Sequence, residues 1–212
     1  MMKLLIFGAT GGTGHEIMTQ ALEQNHIVTA FVRNPDKVKL AHSNLRIVQG
    51  DILDYKSVIP AVEGQEVILS ALGIRILKKN TIISDGTKNI LRVAEDTGVK
   101  RFICMSAIGI GESKAQQNRL GPLYNRFMIP FLLRNMFADK EIQEGYIMDS
   151  NTDWTLVRAA ILTNGPKSGR YRTLTPYDQS VTAKISRSDV ADFMLKQITD
   201  DSMLRKAVSI SD

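Results

Sequence analysis

The chain alternates short apolar runs with longer stretches of helical spacing, and the alternation is regular through the first half. Lys3 to Phe7 reads as a strand, followed at once by a helical stretch from Gly12 to Gln24. Ile27 to Val32 is a second strand, rich in β-branched and aromatic residues. Leu45 to Gln49 is a third, closed by Gly50-Asp51, after which Asp54 is placed to cap a helix reaching about Val62. Val67 to Leu72 is a fourth strand. Thr81 to Asp96 reads as a long helix carrying Ile82, Ile83, Ile90, Leu91 and Val93, with Gly98 past its end. Arg101 to Ser106 is a fifth strand. These runs are continuously apolar, as parallel strands buried on both faces must be. The pattern predicts an α/β fold with a doubly wound parallel sheet, and the 212 residues suit a single domain, 1–212.

The second half is less regular. Between Gly109 and Asn135 the sequence mixes glycine, proline and arginine with the apolar block Phe127 to Leu133. One reading is a buried or amphipathic helix interrupted by Pro130. The others are a substrate lid or a homodimer face. Ala138 to Met148 reads as helix, Asp153 to Arg158 as strand and Asn164-Gly165-Pro166 as a turn. Ser186 caps a helix expected to reach Thr199, and Ala207 to Ile210 is a last strand. The substrate side is expected from residues about 109–135 and 160–185.

The richest chemistry sits between the first strand and first helix, in Gly8-Ala9-Thr10-Gly11-Gly12-Thr13-Gly14. A strand, a glycine-rich turn and a helix start place backbone N–H groups where a pyrophosphate can sit. A site preferring NAD usually carries an acid at the end of the second strand, to hold the ribose 2′-OH. This chain has Arg33 there, a planar fork of donors suited to a 2′-phosphate, and Thr10 offers a hydroxyl to the same group. NADP(H) is therefore expected over NAD(H); the alternative for Arg33 is a solvated strand end. Asp51 and Ile52 follow the third strand, suited to an adenine amino group and ring face. Ala71, Leu72 and Gly73 follow the fourth, and Ser106 and Ala107 the fifth, all where a doubly wound sheet binds its ligand. Ala160 and Ile161, past the strand Asp153 to Arg158, complete the expected cofactor-binding set. Asp51 in a turn, or Ser106 as a strand-end cap, would need no ligand.

Composition adds limits. Hydrophobic residues make up 43% and charged residues 23%, ordinary for a globular chain. The net charge of +5 comes from scattered cations with only short clusters, Lys78-Lys79 and Lys100-Arg101, so no nucleic-acid partner is expected. The single cysteine, Cys104, lies in the apolar run Phe102 to Met105 and reads as a buried, inert thiol in a reducing compartment. The N-terminal apolar stretch enters the glycine turn too soon for a secretory signal, and no segment has the apolar length of a membrane span. A cytoplasmic protein without a membrane partner is expected. His15, His26 and His42 show no metal-ligand spacing, so no metal is expected, and Trp154 reads as core.

Taken together, GATGGTG, VRNPDK, GDILD, ALG and the Ser106-Ala107 pair resemble the atypical short-chain dehydrogenase/reductase superfamily. Within it, the chain is similar to the NmrA-like, NAD(P)H-binding group that includes biliverdin reductase B, a flavin reductase. DKEIQEGYIMDSNTDWTLVRAAILTNGP and ISRSDVADFMLKQI extend the similarity over nearly the whole chain. The resemblance implies a Rossmann-type sheet with a small C-terminal substrate-side extension, and a nicotinamide dinucleotide across the strand ends. The superfamily's catalytic Ser and Lys match Ser106 and Lys140. Its Tyr-x-x-x-Lys pair is broken, because Met136 stands four residues before Lys140. Lys140 then binds ribose hydroxyls or is a surface lysine. Ordinary alcohol–ketone chemistry loses its proton donor, whereas reduction of a flavin- or quinone-like acceptor needs mainly hydride placement. The resemblance thus implies a reductase acting on a small conjugated acceptor. Its alternative is a non-catalytic NADP(H) sensor reporting to a protein partner.

Overall fold

A computed structural model describes residues 1–73, 79–117, 120–121, 124–174 and 183–212. Lys78, Tyr177 and the stretch 175–182 of the expected substrate side lie outside the described residues. The central sheet has eight strands: β1 (Lys3–Phe7), β2 (Ile27–Val32), β3 (Leu45–Gln49), β4 (Val67–Ser70), β5 (Arg101–Ala107), β6 (Asp153–Ala159), β8 (Arg172–Leu174) and β10 (Lys206–Ser211). Their spatial order is β3-β2-β1-β4-β5-β6-β10-β8, parallel except for β8, which runs antiparallel to β10. A small separate pair joins β7 (Ile161–Thr163) to β9 (Lys184–Ser186). The sheet is therefore the mostly parallel, doubly wound α/β architecture.

Side-chain alternation explains why the inner strands β1 and β4 are almost wholly apolar. Leu4 and Ile6 of β1 face one core, while Leu5 and Phe7 face the other. The first core is closed by α1 (Gly12–Glu23) and α6 (Arg187–Lys196), through Ile17, Met18, Ala21, Val190 and Met194. The second is closed by α2 (Tyr55–Val62), α3 (Ile82–Thr97) and α5 (Arg134–Asp149), through Val58, Ile90, Val93 and Ile147. Trp154 is buried in this second core. The chain winds from β1 outward to β3, then returns to β4 on the other side of β1. That reversal opens a crevice beyond the carboxyl ends of β1 and β4, the position where such sheets bind ligands.

Several boundaries move. Strand β4 stops at Ser70, two residues short of the sequence expectation, and α6 stops at Lys196 rather than Thr199. Helix α5 starts at Arg134, four residues early, because the apolar block before it is also helical. Tyr124–Leu133 forms a π-helical segment that passes through position 130 and leads into α5. The helical backbone continues through position 130 as a π turn, so the expected interruption does not occur there. Strands β7, β8 and β9 were not legible in the sequence, and residues 164–171 form an irregular connection instead of a tight turn. A short helix, α4 (Lys114–Gln117), lies in the segment after β5. Among the described residues no helix is long and apolar enough to cross a membrane.

Candidate functional site

The crevice is floored by the turn leaving β1. Gly8 sits at φ +82°, and a Cβ there would lie 2.6 Å from the Ala71 carbonyl oxygen. Only glycine lets the chain turn while touching the end of β4. The Gly8 carbonyl accepts from the Gly11 amide at 2.9 Å, closing the turn. Gly14 packs against the same carbonyl so tightly that a side chain there would fill the turn. Helix α1 begins with Gly11 as its N-cap. No side chain caps it, and no acidic residue lies in its first turn. The first amides of a helix need an acceptor, and the helix dipole makes an anion the favoured one. Thr10, Gly11 and Gly12 are exposed at the mouth of this cradle, while Thr13 and Gly14 are buried behind it.

Phe7 and Phe31 are paired across β1 and β2, so Thr10 and Arg33 emerge at the same end of adjacent strands. Arg33 is exposed. Its carbonyl accepts from Gln49 Nε2 at 3.4 Å. Asn34 caps the 3-10 turn Pro35–Lys37 by accepting from the Asp36 amide at 3.0 Å, which draws Asp36 into the turn. Past β3, one Asp51 carboxylate oxygen accepts from the Leu53 amide at 3.0 Å, and the Asp51 amide donates to Ser57 Oγ at 3.1 Å. Ile52 is wedged against Gly86 of α3, and its carbonyl accepts from Asn89 Nδ2 at 2.9 Å. The half-buried Ile52 thus forms a fixed apolar wall.

Beyond β4, Ala71 is buried, Leu72 half-buried and Gly73 exposed. At the end of β5, Ser106 is 3% exposed, and its Oγ has no hydrogen-bond partner among the described residues. A buried hydroxyl without a partner is costly, and at the end of β5 this one is placed where a ligand group could meet it. Ala107 is half-buried next to it. Ala160 is buried and Ile161 half-buried at the end of β6. These expected positions lie at or just past the carboxyl ends of the parallel strands, Ser106 and Ala107 as the last residues of β5 and Ile161 as the first of β7.

Lys140 lies in α5 and corrects one of the two expectations made for it. It is not a surface lysine, being 3% exposed. Its Nζ donates to the Met105 carbonyl at 3.0 Å, Gln143 Oε1 at 3.3 Å and the Leu72 carbonyl at 3.4 Å. It ties the segment after β4 to the end of β5, through the carbonyls of Leu72 and of Met105, the neighbour of Ser106, and burial pulls its ammonium below the usual lysine value. Around it, α5 turns a polar face inward. Asp139 accepts from the Ile83 and Ser84 amides at 2.9 and 3.1 Å, capping α3, whose own N-cap Thr81 makes no cap bond. Gln143 Nε2 donates to Thr87 Oγ1 at 2.9 Å and reaches Cys104 Sγ at 3.4 Å. Glu144 pairs with Arg158 of β6 at 2.7 Å, both fully enclosed. Cys104 itself is buried, and burial pushes its thiol up to about 11, which makes it a poor nucleophile near neutrality.

A family model described as NAD(P)H-binding matches residues 8–201. The chain belongs to this family. It is 28% identical over 98% of its length, and 76% of the relative's, to an uncharacterised chloroplastic protein of Arabidopsis thaliana. It is 26% identical over 99% of its length to the photosystem II assembly factor Ycf39 of Synechocystis, of which it spans 62%. Among solved structures it is similar to ChuY, an anaerobillin reductase from Escherichia coli O157:H7. The TM-score is 0.80 and the identity 22%, covering 98% of this chain and 96% of that one.

The NAD(P)H-binding family's dinucleotide fits the residues present. The glycine cradle is a space that any Cβ would fill, the α1 amides lack a capping side chain, and Ser106 Oγ awaits a partner. What sequence reasoning missed is the polar inward face of α5 and its partner Arg158. A signal existed: Asp139, Lys140, Gln143 and Glu144 recur at helical spacing on one face. It was hidden because charged residues on a helix usually mark its solvent side.

Proposed function

We propose that this protein is an NADPH-dependent reductase of one domain, which passes hydride to a small conjugated acceptor of flavin or quinone type. The observation that carries this reading is Ser106. It places an unpartnered hydroxyl beside the strand ends where the nicotinamide end of a dinucleotide would lie. Gly11, Gly12, Thr13 and Gly14 would hold the pyrophosphate, Arg33 and the Thr10 hydroxyl the 2′-phosphate, and Asp51 and Ile52 the adenine. Bound there, NADPH would supply the hydride, while this chain's residues would hold and orient cofactor and acceptor and the accompanying proton would come from water. This assignment of the proton suits the burial of Lys140, whose hydrogens are committed to two backbone carbonyls and Gln143. Ser106 orients, while Lys140 sets the spacing of the strand ends. The likeness to ChuY, described as an anaerobillin reductase, supports an extended conjugated acceptor. The substrate side would be formed by residues 109–135 and 160–185, and the setting would be a reducing cytosol.

The test is a titration with NADPH and NADH, followed by turnover of FMN and a small quinone. Tight NADPH binding with turnover is expected. Tight binding without turnover on either acceptor class would replace the reductase with an NADP(H) sensor that reports to a protein partner. Arg33→Glu should weaken NADPH by roughly a hundredfold, about 3 kcal/mol, and leave NADH nearly unchanged. Equal loss of both would remove Arg33 from the 2′-phosphate.

A further inference from the structure

Arg187 opens α6, which packs beside α1 on the same face of the sheet, and its side chain lies on the glycine turn. A Cβ added to Gly12, the first residue of α1, would be 2.6 Å from Arg187 Cδ and 2.8 Å from its Nε. The arginine side chain therefore crosses the backbone of Gly12 in the space a Cβ would take. The guanidinium is held at its far end, where Nη1 donates to Asn164 Oδ1 at 2.6 Å. Asn164 belongs to the connection leaving β7, on the side expected to face substrate.

The backbone of Arg187 is anchored from both neighbours. Ser186 Oγ accepts from the Asp189 amide at 2.9 Å, capping α6. Ser188 Oγ donates to Glu16 Oε2 at 2.9 Å, and the Ser188 carbonyl accepts from Gln20 Nε2 at 2.9 Å. Both partners are on α1, so the two helices are locked and the arginine can only reach along α1 toward its amino end.

Its placement is electrostatically odd. Helix amino ends carry partial positive charge and favour anions. Arg187 stands at the amino end of α6 and reaches the amino end of α1, with a neutral amide as its hydrogen-bond partner. The nearest α1 carboxylate, Glu16, is engaged by Ser188. A cation at two positive helix ends is stable where an anion joins them. The cradle of this family binds one.

We propose that Arg187 is a second clamp on the dinucleotide pyrophosphate, oriented by Asn164 and acting across from the α1 amides. The clamp rests on reading the glycine turn as the cofactor site. Its specificity differs from that of Arg33. Arg187 serves the pyrophosphate common to NADPH and NADH, while Arg33 serves the 2′-phosphate found only in NADPH. Because Asn164 sits on the substrate-side connection, the same contact joins cofactor binding to that loop.

The test is a set of equilibrium titrations of NADPH, NADH and adenosine 2′-monophosphate against the full chain and its Arg187→Gln variant. Arg187→Gln should weaken both dinucleotides by the same factor, about tenfold or more, while the monophosphate binds as to the wild type. Arg187→Lys keeps the charge without the planar fork and should fall between the two. It also serves if the glutamine variant unfolds, which the thermal midpoint of the ligand-free proteins reveals. The NADPH-induced rise in that midpoint should shrink in both variants. Dinucleotide affinities within twofold of wild type would overturn the clamp and leave the cofactor site standing. A loss confined to NADPH and the monophosphate would move Arg187 to the 2′-phosphate and also overturn it. If the wild type binds no dinucleotide, the cofactor reading falls and the clamp with it.

Discussion

The part of the molecule up to residue 107 and the part after it are built on different physics. In the first part the buried residues of β1, β2 and β4 are almost all aliphatic or aromatic, and its buried polar residues, such as Thr13, Gln20, Ser70 and Thr87, are uncharged. In the second part, among the described residues, lie the buried charges: Asp139, Lys140, Glu144, Arg158, Asp189 and Asp192. The first part is a neutral platform that offers backbone amides to an anion. The second is fastened by charged hydrogen bonds that tie helices and loops to that platform. The difference teaches where each kind of perturbation acts. Loss of apolar volume threatens the platform, whereas loss of one charge strands its partner and loosens what surrounds the crevice.

Glu144→Ala should have the largest effect on stability, about 3–5 kcal/mol, because Arg158 is left charged and enclosed. Urea unfolding would measure it. Replacing both partners, Glu144→Leu with Arg158→Met, should recover most of the loss. If it does not, the charges themselves hold the second part together more strongly than proposed here. Leu69→Ala, in the centre of β4, should cost about 2–5 kcal/mol through the cavity it leaves. Its cost should be the same at pH 5 and pH 8, since no charge is involved. A marked pH dependence in that variant would blur the contrast between the two parts.

A smaller effect separates the parts by acid. Asp189 accepts from the Ser168 amide and hydroxyl, the Gly169 amide and Ser186 Oγ, at 2.8 to 2.9 Å. Burial alone would raise its pKa, but these donors outweigh burial and hold the carboxyl below the ordinary aspartate value. A carboxyl lowered on folding contributes in full above the unfolded value near 4 and loses its contribution as pH falls through the folded value. Asp192, bonded by Tyr171 and Lys196, is lowered as well, again against the cost of burial. The connection 164–171 and α6 should therefore lose amide protection in acid before β1, β2 and β4 do, as hydrogen exchange between pH 5 and 3 would show. Asp189→Asn should cost about 1–3 kcal/mol at neutral pH and flatten the acid dependence. Simultaneous loss of protection everywhere would show that the two parts unfold as one.

The same contrast explains which features could be read in advance. The β2, β3 and α2 boundaries follow from apolar runs and from Asp54, whose carboxylate caps α2 by accepting from the Lys56 amide at 3.0 Å. The glycine turn is visible because its residues are adjacent in sequence. Strands β7, β8 and β9 are three residues each, too short for a hydrophobic period to register. Lys140 could be matched by resemblance but not placed. Whether a lysine on α5 meets a ribose, water or two carbonyls depends on which face of α5 packs against β4 and β5.

By itself, the sequence determined the parallel sheet, the crossovers as far as β5, the glycine turn before α1 and the cation past β2. Each is a local pattern, in which neighbours along the chain supply both the constraint and its solution. Only the tertiary structure decided that Asp139 caps a helix more than fifty residues away, that Lys140 is buried against the Met105 carbonyl, and that Arg187 crosses Gly12. Those contacts join residues distant along the chain. Their charges stay buried because the fold brings each a partner, and a linear pattern carries no record of that meeting.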